Sequence, residues 1–113
     1  MATTEIPTFT DTGNYLISIE LDGTVYVLLF LYNARDRHWY LDIESEDGAK
    51  LRTGIKLVTG FPLIWDWRAQ DRPPGELIMI DPSGAGREAG YAAIGRDVFL
   101  TYLDQAGVSE LYA

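Results

Sequence analysis

The 113-residue sequence has no cysteine and one histidine, and these two scarcities close off more chemistry than any motif in the chain opens. Without thiols there is no disulfide, no thiolate nucleophile and no Cys-type zinc site, so stability has to come from buried apolar surface or from association with other chains. One imidazole, His38, leaves no second histidine for a proton relay or a His-rich metal set. There is no apolar run of the ~18 residues that a bilayer-spanning helix requires. The opening MATTEIPTFTDTG lacks the basic and apolar regions of a secretory leader, and synthesis in a cytoplasm is the expectation. Positive charge is also scarce: nine Lys and Arg stand against seventeen Asp and Glu, a net charge of -8 whose field repels phosphate backbones. Specific nucleic-acid binding is therefore not expected. The densest basic group, Lys50, Arg52 and Lys56, alternates with apolar positions as a solvated strand face does.

Hydrophobic residues make up 47% of the chain and charged residues 23%, the balance of a globular domain with a single core. Period-2 alternation dominates, and helical periodicity of useful length is missing. Tyr15, Ile17, Ile19 and Leu21 share one face of a strand, Asp22-Gly23 signals a type I′ turn, and residues 24–32 run back as TVYVLLFLY. This return strand is apolar on both faces: Tyr26, Leu28 and Phe30 lie on one, and Val25, Val27, Leu29 and Leu31 on the other. Such a strand predicts cover on both sides. Trp39, Leu41 and Ile43 then alternate with Tyr40, Asp42 and Glu44, Asp47-Gly48 turns the chain, and residues 50–58 form a fourth strand in which Gly54 signals a bulge. The four strands read as an antiparallel meander. Further strands are predicted at residues 76–80 and 98–104, separated by a DPSG turn and a flexible Gly-rich loop. The expected fold is all-β, a small antiparallel sandwich or partly open barrel with a Pro/Trp-rich irregular excursion. Residues 1–14 are expected to be an N-terminal arm, 15–103 the domain, and 104–113 a C-terminal tail.

The reactive side chains do not assemble into a catalytic pattern. Asp36 and His38 share one short connection, with no serine, threonine or second histidine beside them to complete a nucleophile–base–orienter relay, so the cluster RDRH reads as the charged tip of a hairpin. Glu44, Glu46 and Asp47 gather at a turn without the ordered ligand spacing of a calcium loop. Asp66 and Asp71 invite a glycosidase reading whose required separation a sequence does not establish. Gly84-x-Gly86-x-x-x-Gly90 departs from the spacing of a dinucleotide loop and is followed by no helix. No catalytic residue, metal ligand or cofactor is expected, and the protein is read as a non-enzyme.

The stretch GFPLIWDWRAQDRPPG, residues 60–75, is the strongest anomaly. Three prolines break regular structure, while large aromatics in an irregular segment are costly unless they bury somewhere. They either lid the domain's own core or anchor a partner, as aromatics do at interface hot spots. Phe61, Leu63, Trp65 and Trp67 are accordingly the candidate partner-binding residues. A carbohydrate-binding module is the alternative, with the same aromatics as a stacking platform and Asp66, Asp71 or Asn33 bonding sugar hydroxyls. A small hydrolase built on His38 is a third, weaker class.

Several ordered blocks, YNARDRHWYLDIESEDGAKLRTGIKLVTGFPLI, DRPPGELIMIDPSG and IGRDVFLTY, resemble the baseplate plug family of contractile-tailed phages, of the cyanophage type, over residues 15 to 103. The resemblance implies a virion structural protein of the tail baseplate near the central hub and tube end. Other baseplate, hub and tail-tube proteins would be its partners, as a trimer or six copies per virion, with no catalytic chemistry. It supplies no residue-level contacts, so the candidate anchors rest on the aromatic excursion alone.

Overall fold

The computed structural model of the chain describes residues 3–8, 14–67, 73–88, 90–91 and 93–104. Seven strands follow in chain order: β1 (Thr3–Glu5), β2 (Tyr15–Leu21), β3 (Thr24–Asn33), β4 (His38–Ser45), β5 (Lys50–Lys56), β6 (Glu76–Ile80) and β7 (Phe99–Leu103). The described residues contain no helix. β2-β3-β4-β5 form a four-stranded antiparallel sheet, the predicted meander, and β1-β7-β6 form a second antiparallel sheet of three. Neither closes into a barrel; both contribute side chains to one apolar cluster.

The period-2 reading sets which residues enter that cluster. Trp39, Leu41 and Ile43 on β4 and Leu28 and Phe30 on β3 are fully buried, opposite one another in the register Phe30↔Leu41 and Leu28↔Ile43. From the second sheet come Leu77 and Met79 on β6 and Leu100 and Tyr102 on β7. Asp22 and Gly23 both take positive φ, 52° and 84°, as the type I′ hairpin requires. The predicted bulge lies in β5: the pairing shifts between Leu41↔Ile55 and Ile43↔Arg52, and the Gly54 N–H turns to donate to Asp42 Oδ1 at 2.8 Å.

The amino-terminal segment departs from expectation. Rather than lying as an arm outside the domain, Thr3–Glu5 pairs with β7, Ile6 donates to the Leu100 carbonyl at 2.8 Å, and the Ile6 side chain is fully buried. A three-residue strand shows too little alternation to be read from sequence. Of the expected carboxy-terminal tail, residues 104–113, all but Asp104 lies outside the described residues.

The two sheets are tied by Tyr102. Its hydroxyl donates to Asp22 Oδ2 at 2.6 Å and accepts from the Gly75 N–H at 2.7 Å, joining the β2–β3 turn to the entry of β6. Burial, and after it the bond to Asp22, pushes the phenol well above its ordinary pKa and keeps it a donor. Residue 75 has to be glycine, since a Cβ there would stand 2.1 Å from the Leu103 carbonyl oxygen. Tyr102→Phe removes the acceptor used by a buried N–H and is expected to cost about 1–3 kcal/mol, readable as a lower urea midpoint at unchanged m-value.

Candidate assembly surface

The excursion after β5 runs along the outer side of β6. Gly60 donates to the Met79 carbonyl at 2.8 Å and Leu63 to that of Leu77 at 2.9 Å, with Pro62, which has no N–H to give, bridging Ile78 between them. Glu76, a buried carboxylate, accepts from the Ile64 N–H at 2.8 Å and from the Leu77 N–H at 2.9 Å, anchoring the end of the run. The bend beyond is closed by Trp67 donating to the Ile64 carbonyl at 3.1 Å.

This trace divides the four candidate anchors. Leu63 (9% exposed) and Trp67 (5%) turn into the core cluster, whereas Phe61 and Trp65 are each 65% exposed. A side chain enclosed by its own core has no surface left for a neighbour, so Leu63 and Trp67 lid the domain. Phe61 and Trp65 remain as outward aromatics, a division that the irregular backbone of the segment hides from any period-based reading. Phe61 also walls a shallow groove of about 260 Å³ with His38, Leu57, Val58, Thr59, Gly86 and Glu88.

A second apolar surface is the outer face of the four-stranded sheet. Val25, Val27, Leu29 and Leu31 are only half-buried there, and Leu16, across from Leu29, is 62% exposed. The cover predicted for a doubly apolar strand is thus present on the core side. On the other side no element among the described residues supplies it.

The hairpin tip that holds His38 is organised as a turn. Asn33 Oδ1 accepts from the Arg35 N–H at 2.9 Å, the Arg37 N–H donates to the Asn33 carbonyl at 2.9 Å, and Arg37 takes φ 60°. Asp36 receives the Tyr40 hydroxyl and the His38 N–H, with Lys56 Nζ at 3.6 Å. Chiefly through the Tyr40 bond, the Asp36 carboxyl is held below the ordinary carboxylate range and the Tyr40 phenol above its own. His38 Nδ1 is 2.8 Å from the Asp36 carbonyl oxygen, which accepts from it, and Nε2 lies 4.0 Å from Glu88. The hydroxyl in the groove wall, Thr59 Oγ1, gives its proton to the Arg87 carbonyl at 2.6 Å and makes no bond to His38. Among the described residues no group of three or more His, Asp or Glu converges as a metal site.

A family model described as the cyanophage baseplate Pam3 plug gp18 matches residues 3–105. The chain belongs to this baseplate plug family. Membership makes it a structural protein of the phage tail baseplate, carried in the virion and associated with other baseplate proteins. No curated protein matches it. The match includes β1, in keeping with the place of that strand in the sheet.

Two features of the plug bear on how its surfaces are held. The polar groups that a sugar platform would use are engaged elsewhere: Asp66 pairs with Arg52 at 3.4 Å and the Asn33 amide oxygen caps the hairpin tip, while Asp71 lies outside the described residues. The Gly-rich loop is pinned by Arg87, which no sequence pattern singles out. Its guanidinium meets Asp81 at 2.8 and 3.0 Å, its N–H reaches the same carboxylate at 2.8 Å, and Asp97 lies 3.7 Å away. These bonds, first those from the Arg87 side chain, hold Asp81 well below the usual carboxylate range. A depressed folded-state pKa contributes stability that is present above the unfolded value, about 3.9, and lost as pH falls through the folded one. Urea midpoints should therefore decline below about pH 4, and Asp81→Asn, although less stable at neutrality, should show a flatter acid limb.

Proposed function

We propose that the chain acts as a plug subunit at the hub and tube end of a contractile tail, without catalytic chemistry. It occupies space there, holds its neighbours through apolar surface, and yields when the baseplate rearranges. The observation that carries this reading is the outward apolar surface of an otherwise well-packed domain: Phe61 and Trp65 on the excursion, and Leu16 with the half-buried face of β3. A small all-β domain leaves such surface open at a cost in solubility, and neighbours in an assembly offset that cost by burying it. The net charge of -8 supports the position, since an acidic plug beside the tube repels the genome that passes it. Copy number follows the tail axis, three or six, with hub and tube proteins as the contacts.

The test is localisation in particles. Tails purified from cells that make an epitope-tagged chain should bind antibody at the baseplate end on the axis, and cross-links from Lys50 and Lys56 should reach hub or tube subunits. Antibody along the sheath, at the baseplate periphery, or absent from purified tails would overturn the proposed position.

A further inference from the structure

Among the described residues β2 is an open edge of the four-stranded sheet, and Glu20 is its one charged guard. The opposite edge, β5, is bulged and carries Lys50 and Lys56, and the outer side of β6 is covered by residues 59–63. β2, YLISIEL, contains no proline, glycine or lysine, and its register against β3 is unbroken from end to end. Hairpin geometry says which of its backbone groups are exposed. Leu21 and Thr24 flank a two-residue turn and so exchange both hydrogen bonds, after which bonded and non-bonded pairs alternate. Glu20, Ser18 and Leu16 fall on the non-bonded pairs, so their N–H and C=O groups point away from β3 into the open edge.

We propose that this edge pairs with the same strand of a second copy, antiparallel, about a two-fold axis at Ser18. Only an axis on a residue keeps core-side faces together, because a shift of one position would set Ile17 and Ile19 against outward side chains. With the axis at Ser18, the midpoint of β2, Ile17 meets the second copy's Ile19 and Ser18 meets its counterpart. Leu16 meets Glu20, which keeps the two Glu20 carboxylates apart. The groups exposed at Leu16, Ser18 and Glu20 then bond one another reciprocally, with none left over. Charge favours the same arrangement. One end of the sheet holds Glu20, Asp22, Glu46 and Asp47, with Lys50 paired to Glu44, and the other holds Arg35, Arg37 and Lys56 around Asp36, so the first is net acidic and the second net basic. Antiparallel copies set the acidic end of each toward the basic end of the other, and the apolar outer faces of the two β3 strands then flank a seam of Leu16, Ser18 and Glu20 on one side of the joined sheet.

The absence of native cysteine makes each introduced thiol unique. Across the axis the Ser18 Cα atoms would stand about 5.5 Å apart, inside the disulfide range. Ser18→Cys should therefore form a covalent dimer under mild oxidation. Leu16→Cys should not do so alone, but should do so when mixed with Glu20→Cys. Sedimentation equilibrium of the cysteine-free chain should give twice the monomer mass, and Ser18→Lys, which sets two ammonium groups face to face at an exposed position, should return it to monomer with unchanged circular dichroism. A cysteine-free chain that stays monomeric at its highest soluble concentration would overturn the proposal. So would Ser18→Cys cross-linking no faster than Thr53→Cys on the opposite edge, or Ser18→Cys cross-linking to Thr53→Cys in a mixture, which would mean head-to-tail pairing. These outcomes are read on the isolated protein and stand apart from its position in the tail; of the two copy numbers proposed there, pairing fits six, as three dimers, and not three.

Discussion

Trp39→Ala is expected to lower stability by about 3–5 kcal/mol, the range for emptying a large aromatic site in a core. Trp39 is fully buried and lies at the centre of an aromatic group, with ring centroids of Tyr15 at 5.7 Å, Tyr32 at 5.3 Å and Tyr91 at 5.9 Å. Tyr91 stacks on it from the loop before β7, so the indole ties the four-stranded sheet to a connection of the other. Its Nε1 finds no acceptor among the described residues, and the ring is held by its buried area and its aromatic neighbours. Removing the ring strands three tyrosines around a void that a sheet cannot collapse to fill. Against the about 5–15 kcal/mol that a domain of this size commands, this is a large fraction of the whole. Equilibrium denaturation reads the loss directly, and loss of near-ultraviolet circular dichroism in the mutant would report the disordered aromatic group. A shift below about 1 kcal/mol would mean that Trp39 does not hold the two sheets together.

How much of this is legible in the sequence depends on where regular periodicity operates. On β3 and β4 the alternation of Leu28, Phe30, Trp39, Leu41 and Ile43 is enough to name the core side chains, because a pleated strand leaves each side chain only two directions. Asp22-Gly23 likewise names its turn, since few residue pairs accept two successive positive φ values. The excursion has no such constraint. Where Pro62 interrupts the chain and Gly60 and Leu63 bond β6 individually, each side chain's direction is set by tertiary contacts, and Phe61 and Trp65 part from Leu63 and Trp67 for reasons the local sequence does not carry. Arg87 is hidden for a related reason. Its partners, Asp81 and Asp97, lie six and ten residues away in a stretch with no repeating pattern, and only folding brings the two carboxylates to one guanidinium. The short β1 escapes a pattern-based reading because its register comes from β7, far along the chain, and not from alternation of its own.

The outward aromatics lead to the second large effect. The double substitution Phe61→Ala with Trp65→Ala is expected to leave folding stability within about 0.5 kcal/mol, the usual range for exposed positions, while weakening association with the neighbouring baseplate component by at least about a hundredfold. That figure takes each ring as an interface anchor of about 2 kcal/mol or more, each about thirtyfold in affinity; strict additivity would predict more. Trp67→Ala is the internal control. It lies within a few residues of the same surface but is buried, so it should destabilise the free domain by about 3–5 kcal/mol, and any loss of assembly should be restored at low temperature, where the folded fraction recovers. Two tryptophans separated by a single aspartate thus give opposite signatures, one in binding at constant stability and one in stability alone. Tail reconstitution with the purified variants, scored beside urea titration of each, separates them. Normal incorporation of the double variant into tails would remove Phe61 and Trp65 from the interface and leave the outer face of β3, with Leu16, to hold the neighbour.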